Sequence, residues 1–304
     1  MQKTLSHFIG LIVQRKAALN KIRTAETYAS ALRSFMRFRE GADLPLSDLT
    51  PFLIQRYEAW LLASGVSPNT SSFYLRKLRS AYNLAVDEGL VTQQFPFRQV
   101  YTGKSKTIKR AVSAKVLRKI QTLSLSDKPY QAFARDLFLF SLYTRGMSFI
   151  DMAYLRKSDL HDGILTYRRH KTGQQLSIRW EPCMKELLFR LGKHLPNLNK
   201  KYLLPLISRE GNQASLRRQY LRAQQRTNYA LKRMCEDAGI TPAITMYVAR
   251  HSWATLAQSN HVPISIISSG MGHDSERTTR IYLASIDTNS IDNANRKILK
   301  GLGV

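Results

Sequence analysis

One stretch, DGILTYRRHKTGQQLSIRW at residues 162–180, constrains the fold more than any other part of the chain. Leu165, Tyr167 and Arg169 alternate with polar neighbours, and the alternation resumes after the turn-forming segment HKTGQQ. Period-2 patterning on both sides of a glycine-containing turn predicts a β-hairpin, with Lys171 at its tip. The other patterned segments repeat at three and four residues, which is the spacing of helices. We therefore expect a mainly α protein with one small β-hairpin sheet.

The first part of the chain, residues 1 to about 103, consists of one amphipathic segment after another. In TAETYASALRSFMRFRE the apolar side chains share one helical face, and Thr24 is placed to cap that helix. TPFLIQRYEAWLLASG has Thr50 as its cap, a proline at the first helical position and Gly65 as its end. The next segment, SPNTSSFYLRKLRSAYNLAVDEG, is expected to stop at Gly89. These patterns predict an N-terminal helical domain.

A short basic segment separates this domain from the rest. Residues 104–110 are rich in lysine and arginine and nearly devoid of apolar side chains, which is typical of a linker. The patterns from 111 to 304 are again helical apart from the hairpin, and Ser113 is placed to cap the first helix. The long apolar run YQAFARDLFLFSLYTRGMSFIDMAYL predicts helix with an interruption around Gly146. The predicted organisation is therefore 1–103, linker 104–110 and 111–304.

The charge of the chain indicates its class of partner. Lysine and arginine total 47 of the 304 residues against 21 aspartate and glutamate, a formal net charge of +26. Such a charge destabilises the compact state by self-repulsion and favours binding to a polyanion. An anionic membrane surface fits less well, because the basic residues are spread along the chain and no apolar run of about 18 residues is present. Nucleic acid is therefore the expected partner.

The cysteines and the N-terminus bear on the compartment. Cys183 and Cys235 are too few for a disulfide framework and lack the spacing of metal ligands, so we expect two buried thiols in a reducing cytoplasm. The segment MQKTLSHFIGLIVQRKAALNK has only a short apolar patch and is typical of neither a signal peptide nor a membrane span. A cytoplasmic, DNA-associated location is the corresponding expectation.

Three short motifs contain residue types suited to phosphate chemistry. YVARHSWATLAQS places Arg250 and His251 in an apolar helix, where a buried guanidinium requires a phosphate or carboxylate partner. KTG at the hairpin tip also fits a merely solvated lysine. In GHDSERTTRIY, His273 and Tyr282 are nine residues apart and fall on opposite faces of one uninterrupted helix. If the helix begins only after the DS pair, the histidine lies in a loop and can fold back beside the tyrosine, although a core tyrosine is the alternative.

In this order, these pieces resemble the tyrosine recombinase (phage integrase) family. The resemblance covers essentially the whole chain, and its most specific segments are ARHSWAT and GMGHDSERTTRIY. It implies a SAM-like core-binding domain, a basic linker and a catalytic domain of the DNA breaking-rejoining type. The roles that it implies are nucleophile for Tyr282, second catalytic arginine for Arg250, hairpin lysine for Lys171, G-H histidine for His273 and a supporting role for His251.

Two positions depart from the family pattern. The acidic residue that follows the family's first arginine corresponds here to Asp151, and the expected arginine position holds Ser148. Arg145 lies three residues earlier, and on a helix it would share a face with Ser148, so we expect it to replace the missing arginine. Tyr247 occupies the position of the usual histidine, three residues before Arg250. A phenol with a pKa of about 10 is a donor or positioning residue and not a general base.

The resemblance implies a site-specific recombinase that cuts and rejoins duplex DNA through a 3′-phosphotyrosyl intermediate, without metal, ATP or another cofactor. Its expected partners are paired inverted DNA sites and three further copies of the chain in a homotetramer. The C-terminal tail at 286–304 would dock on a neighbouring copy or pack in cis. The basic residues expected to contact DNA are Arg76, Lys77, Arg79, Lys104, Lys106, Lys109 and Arg110. Two alternatives stay open, a DNA-binding relative without activity and a type IB topoisomerase-like enzyme that acts as a monomer.

Overall fold

The protein is mainly α, as the sequence predicts. The structure is a computed structural model that describes residues 4–105, 111–194, 199–241, 243–283 and 299, without the side chains of Ile281 and Tyr282. The chain forms two compact units, Met1–Thr107 and Ile108–Val304. Each unit has its own hydrophobic core.

Local caps set the helix boundaries of the first unit. Its helices are α1 (Leu5–Ala18), α2 (Ile22–Phe38), α3 (Pro51–Ala63) and α4 (Pro68–Asp87). Thr50 and Ser67 accept hydrogen bonds from the backbone of the first turns of α3 and α4, and a proline follows each cap at the first helical position. Gly65 and Gly89 take positive φ just past the ends of these two helices. The predicted cap at Thr50 and the predicted ends at Gly65 and Gly89 are confirmed.

The predicted cap at Thr24 is wrong. α2 begins two residues earlier, at Ile22, after Lys21, whose side chain makes no capping hydrogen bond. Thr24 lies inside the first turn, where its carbonyl accepts a hydrogen bond from the Thr27 hydroxyl at 2.6 Å. α2 begins before the predicted cap because its apolar face, with Tyr28 buried, packs against α1 and α4.

The second unit surrounds a buried helix. Its elements are α5 (Ala114–Thr122), α6 (Pro129–Tyr143), α7 (Phe149–Tyr154), β1 (Leu160–His161), β2 (Ile164–Arg168), β3 (Gln175–Arg179), α8 (Pro182–His194), α9 (Gln213–Asp237), α10 (Met246–Ser259), α11 (Ile264–Met271) and α12 (Glu276–Leu283). The predicted cap Ser113 accepts from the N–H of Val116 at 3.4 Å, which confirms it. Phe133, Leu137 and Phe138 on α6 are buried, and α8, α9 and α10 pack around this helix. α10 is thereby fixed against the core of the unit.

The predicted hairpin is present as part of an antiparallel sheet of order β1-β2-β3. Leu165 faces Ile178 and Tyr167 faces Leu176, and all four side chains are buried. The alternation in the sequence therefore marks the buried face of β2 and β3. β1 was not predicted, because two residues are too short to carry a periodic pattern.

The prediction of two buried thiols is half wrong. Cys235 is buried on α9, whereas Cys183 is exposed in the first turn of α8. α8 turns Met184, Leu187 and Leu191 to the core, and position 183 falls outside that stripe.

Candidate active site

Arg250 is a buried cation on α10 whose charge meets backbone carbonyls. Its side chain is 4% exposed. One guanidinium nitrogen donates to the carbonyl of Gly146 at 2.9 Å, and another donates to the carbonyl of Met271 at 2.7 Å. A buried guanidinium is costly unless strong acceptors meet it, so these carbonyls offset part of its desolvation. The protein itself therefore holds this arginine in one orientation.

Gly146 makes this contact possible. Its φ is +70°, and a Cβ at this position would lie 2.7 Å from the Cα of Arg250, closer than packed atoms approach. Ser141, near the end of α6, closes the turn. Its carbonyl accepts from the N–H of Gly146 at 2.8 Å, and its hydroxyl donates to the carbonyl of Met147 at 2.7 Å. Both the backbone conformation and the close approach of α10 therefore require a glycine.

Arg145 lies on the same turn, and the helical geometry expected for it is wrong. α6 ends at Tyr143 and α7 begins at Phe149, and between them Arg145 has a φ of 60°. This residue therefore shares no helical face with the position three residues later. The hydrogen bonds of the turn to Ser141 end the helix and reverse the backbone. The guanidinium of Arg145 instead donates to the carbonyl of Ser177 on β3 at 3.3 Å.

The pKa of Tyr167 shows that several cations converge on one region. Burial raises the pKa of this phenol, and the charge of Asp151 raises it further. Arg250, Arg169 and Arg145 lower the same pKa. Guanidinium groups from α10, from the end of β2 and from the α6–α7 turn thus lie within electrostatic reach of a single side chain.

Ser148 and Asp151, the predicted supporting residues, connect α7 to the hairpin. Ser148 caps α7, and its hydroxyl donates to one carboxylate oxygen of Asp151 at 2.6 Å. The backbone N–H of His170, in the hairpin loop, donates to the other oxygen at 2.8 Å. Asp151 is 3% exposed, so these hydrogen bonds fix a buried carboxylate. Ser148 therefore holds the carboxylate and cannot supply the missing cation.

His273 lies in the loop between α11 and α12, as the sequence predicts. Gly272 ends α11 in the left-handed conformation, and the N–H of His273 donates back to the carbonyl of Ser268 at 3.0 Å. The ring of His273 then bridges two elements. Its Nε2 is 3.1 Å from a guanidinium nitrogen of Arg250, and its Nδ1 is 2.8 Å from the hydroxyl oxygen of Thr279 on α12.

These two contacts define the protonation state of His273. A guanidinium only donates, so Nε2 must accept, and Nδ1 carries the proton that is donated to Thr279. Burial lowers the pKa of His273 to about 4, and the charges of Arg250, Arg169 and Lys171 contribute to the same decrease. The histidine is therefore neutral at pH 7, with its Nε2 lone pair turned toward the arginine.

Lys171 is exposed in the hairpin loop, where the sequence places it. The loop is closed at its base, since the N–H of Arg169 donates to the carbonyl of Gln174 at 2.9 Å. The ring of His170 packs against that of Tyr154 with centroids 4.5 Å apart. Residues next to the lysine are thus anchored while the lysine itself is solvated.

Two residues of the site have no predicted role. Arg169 is 6% exposed, donates to the carbonyl of Gly272 and lies with its Nε 3.8 Å from the carboxylate of Asp151. Arg169 follows the buried Leu165 and Tyr167 at two-residue spacing, and this spacing was a signal in the sequence that it is buried on the same face. Thr279, which holds His273, is fully buried. Nothing in the sequence distinguishes it from neighbouring threonines.

Tyr282 lies on the last turn of α12, one turn after Thr279. α12 packs against α10 and α11, which carry Arg250 and the loop of His273. The side chain of Tyr282 lies outside the described part of the structure.

Tyr247 and His251 lie next to each other on α10. Tyr247 is 56% exposed in the first turn, and its ring meets that of His251 edge-on with centroids 4.6 Å apart. His251 is buried. The phenol therefore reaches the surface while the histidine supports its ring.

Three of the predicted DNA contacts, Arg76, Lys77 and Arg79, lie on α4. Arg76 and Arg79 line an open groove of about 550 Å³ together with Lys16. The ammonium group of Lys77 lies 5.0 Å from the ring centroid of Tyr28. Lys104 is exposed, whereas Lys106, Lys109 and Arg110 lie outside the described residues.

The described part of the chain has neither a cluster of metal ligands nor a membrane-spanning helix. Within it, no group of three histidine, cysteine, aspartate or glutamate residues is arranged to hold a metal ion. No helix in the same residues is both long and apolar enough to span a bilayer.

Comparison with known families decides the class of the chain. The profile of the phage integrase SAM-like domain matches residues 4–102, and the profile of the phage integrase family matches residues 113–289. The second match alone covers more than half of the chain. The chain belongs to the phage integrase family. At the level of that family it is a tyrosine recombinase that acts on DNA.

Individual relatives are distant. Tyrosine recombinase XerD of Pseudomonas aeruginosa is 22% identical over 265 residues, which cover 85% of each chain. Among solved structures, a lambda integrase tetramer bound to a Holliday junction superposes with a TM-score of 0.65 at 18% identity, covering 92% of this chain and 77% of the other. XerH recombinase in a post-cleavage complex with its palindromic difH substrate gives 0.66 at 19% identity, covering 90% and 79%. The recombinase thus shares its fold with the solved lambda integrase and XerH structures.

Proposed function

We propose that this recombinase is site-specific and cuts and rejoins duplex DNA through a 3′-phosphotyrosyl intermediate, with Tyr282 as the nucleophile. One observation carries the proposal. A buried, oriented Arg250 is hydrogen-bonded to a neutral His273 in the loop that leads into the helix of Tyr282. The overall reaction is integration, excision or inversion between two DNA sites.

The cleavage step is a transesterification. The phenolic oxygen of Tyr282 bonds to the scissile phosphorus, and the bond from phosphorus to the 5′ oxygen breaks. The phenolic proton passes to a base, and the 5′ oxygen takes a proton from Lys171 on the hairpin loop. Attack by the 5′ hydroxyl of another strand reverses these changes. Because the phosphotyrosyl link conserves the ester bond, rejoining needs no ATP and no metal.

The arginines stabilise the charge that develops on the phosphate. Two-pronged hydrogen bonds from guanidinium groups suit the non-bridging oxygens. Arg250 supplies one such group from α10, and Arg145 supplies the second from the left-handed turn beside it. Replacement of the Ser177 carbonyl by a phosphate oxygen would cost Arg145 a single hydrogen bond at 3.3 Å. Arg145 would therefore reach the phosphate from a turn, and not from the helical face that the sequence predicted.

His273 and Tyr247 serve the same phosphate. Once Arg250 turns from Nε2 of His273 to the phosphate, that nitrogen accepts a proton as the phenol attacks, and the nearby phosphate raises the low pKa of the imidazole when DNA binds. Tyr247 donates a hydrogen bond from its exposed hydroxyl, and His251 holds its ring. Ser148 and Asp151 support the hairpin.

The partner is duplex DNA with paired inverted sites, bound by four copies of the chain. The lambda integrase relative was solved as a tetramer on a Holliday junction, and XerH on a palindromic substrate. The tail at 286–304, of which the structure describes residue 299 alone, is the proposed contact between copies. The proposed phosphate contacts are Arg76, Lys77, Arg79, Lys104, Lys106, Lys109 and Arg110.

Trapping on a suicide substrate tests this function. A duplex site nicked next to the cleavage position releases a short fragment, so an active recombinase accumulates as an SDS-resistant adduct on the 3′ phosphate. A DNA-binding relative without activity binds the site and yields no adduct, which would contradict the proposal. A topoisomerase would relax supercoiled DNA without the sites, whereas the recombinase requires two of them.

A further inference from the structure

The hairpin loop and the loop of His273 are tied together by one side chain. Arg169 follows β2, and its backbone closes the loop of Lys171. Its N–H donates to the Gln174 carbonyl at 2.9 Å, and its carbonyl accepts from the N–H of Gly173 at 2.8 Å. Its side chain is buried, with 6% exposed.

This side chain reaches the end of α11. A terminal nitrogen of Arg169 donates to the carbonyl of Gly272, and Arg250 donates to the carbonyl of Met271. Two guanidinium groups from different elements thus take consecutive carbonyls at a helix C-terminus. Carbonyls there have no partner within the helix and lie at the negative end of its dipole. The backbone immediately before His273 is therefore held from two sides.

We propose that Arg169 is a positioning residue that locks the loop of His273 to the loop of Lys171, with Asp151 as its fixed counter-ion. The carboxylate of Asp151 lies 3.8 Å from Nε of the arginine. The Ser148 hydroxyl at 2.6 Å and the His170 N–H at 2.8 Å hold it from other sides. The counter-ion is thus itself immobilised by α7 and by the hairpin.

The fit at the far end of the side chain is close. A Cβ on Gly272 would lie 2.6 Å from Cδ of Arg169, so the loop backbone rests directly on the arginine. The amides of Gly272 and His273 donate to the Ser269 and Ser268 carbonyls, each at 3.0 Å, and their protection from exchange reports whether the loop is closed. A lysine has a single charged atom and cannot serve the carboxylate and the carbonyl in the same way.

The functional consequence rests on the proposed function. Lys171 and His273 are the two proton-handling residues of that mechanism, and Arg169 sets the distance between their loops. Its charge also contributes, after burial and Arg250, to the lowered pKa of His273. A displacement of about 1 Å in a reacting group can cost about 10²-fold in rate. Loss of the lock should therefore slow cleavage while DNA binding persists.

The test uses the full chain and a matched pair of variants. Arg169→Met removes the lock, and Arg168→Met removes the same charge from the exposed neighbouring position. Arg169→Met leaves a buried carboxylate without its cation, so Arg169→Met/Asp151→Asn removes both charges and keeps the experiment interpretable if the single variant unfolds. Amide hydrogen exchange at 272–273 and single-turnover adduct formation at saturating protein are measured on each.

We expect exchange at these amides to rise about tenfold in the double variant, the effect of losing a hydrogen bond to a charged group. Adduct formation should fall about 10²-fold, with the Kd for DNA changed by no more than about threefold. Arg168→Met should exchange like the parent. The proposal would be overturned if the amides at 272–273 exchanged as slowly in the double variant as in the parent. It would also be overturned if exchange became faster while cleavage did not become slower. If the parent forms no adduct, the proposed function fails, while the exchange comparison still tests the lock.

Discussion

Two arginines of the candidate site are held in opposite ways. Arg250 lies on a regular helix, is 4% exposed and donates to two carbonyls at 2.7 and 2.9 Å. Arg145 lies on a turn at a φ of 60° and donates to the Ser177 carbonyl at a longer 3.3 Å. The first is built into the packing of the unit, whereas the second is held by a backbone conformation that non-glycine residues rarely adopt.

The difference separates stability from function. The two hydrogen bonds of Arg250 join α10 to the backbone at Gly146 and at Met271, so this residue stabilises the fold as it orients its charge. Arg145 occupies a conformation that costs about 1–2 kcal/mol for a side chain with a Cβ. Strain of this kind persists where the surrounding structure enforces it, and it clusters at functional sites. Arg145 is therefore expected to matter for chemistry and not for folding.

The largest expected effect is that of Arg250→Ala. The two guanidinium groups of Arg250 and Arg145 form a charge clamp on the phosphate. The change removes one of them and leaves two carbonyls without their donor, so we expect adduct formation to fall about 10³-fold. The free energy of unfolding should fall by about 3 kcal/mol. Single-turnover trapping and urea denaturation measure the two quantities. Adduct formation within tenfold of the parent would show that this residue is not part of the clamp.

Arg145→Ala comes next. Loss of a second guanidinium group should slow cleavage of a nicked site about 10²-fold with little change in DNA binding. Arg145→Lys should rescue poorly, because a point charge cannot make the two-pronged contact. Ser148→Ala is the matched control within the same segment and should stay within a few-fold of the parent, since Ser148 caps α7 and orients Asp151 but brings no charge to the phosphate. A parental rate for Arg145→Ala would mean that the second cation comes from elsewhere.

Arg145→Gly sharpens the contrast through stability. Glycine adopts positive φ without a Cβ clash, so the folded state is relieved of about 1 kcal/mol of strain, offset in part by the entropy of the unfolded glycine. We expect a Tm equal to or above that of the parent, together with loss of cleavage. Thermal unfolding of this variant beside Arg250→Ala is the measurement. A clear loss of stability in Arg145→Gly would remove the distinction between the two arginines.

The last expected effect is a pH dependence of stability that comes from His273. Its pKa falls from 6.5 to about 4 on folding, so between these values the unfolded chain binds a proton that the folded chain does not. Stability should therefore decrease as the pH falls through this window. His273→Gln should remove that part of the dependence, and the difference between parent and variant in unfolding free energy against pH isolates it. Identical pH profiles would contradict the neutral, buried imidazole.

Features of the fold that are set by residues adjacent in the sequence were predictable. The caps at Thr50 and Ser113 and the helix end at Gly65 follow from a few adjacent residues, and the hairpin follows from alternation. The cap predicted at Thr24 was wrong because packing against α1 and α4 makes α2 begin earlier, at Ile22. Local rules succeed where the boundary is set by a few neighbouring residues and fail where tertiary contacts set it.

The sequence motifs pointed to some residues of the candidate site, but they did not give its geometry. The motifs identified Arg250 and His273 by type and order, but the turn of Arg145 depends on hydrogen bonds to Ser141 and on the approach of α10. The bond from Arg169 to Gly272 joins residues 103 positions apart. No window of sequence contains both ends of such a contact.

In the proposed mechanism Arg250 and Arg145 stabilise the phosphate that Tyr282 attacks, and Tyr282→Phe tests that attack. The substitution deletes the attacking oxygen and keeps the ring. Parent and variant are incubated with the nicked site, and the adduct is digested and its DNA-linked peptide identified by mass spectrometry. We expect a phosphotyrosyl peptide containing Tyr282 in the parent, and DNA binding without any SDS-resistant adduct in the variant. An adduct formed by the phenylalanine variant, or linked to a different residue, would contradict it.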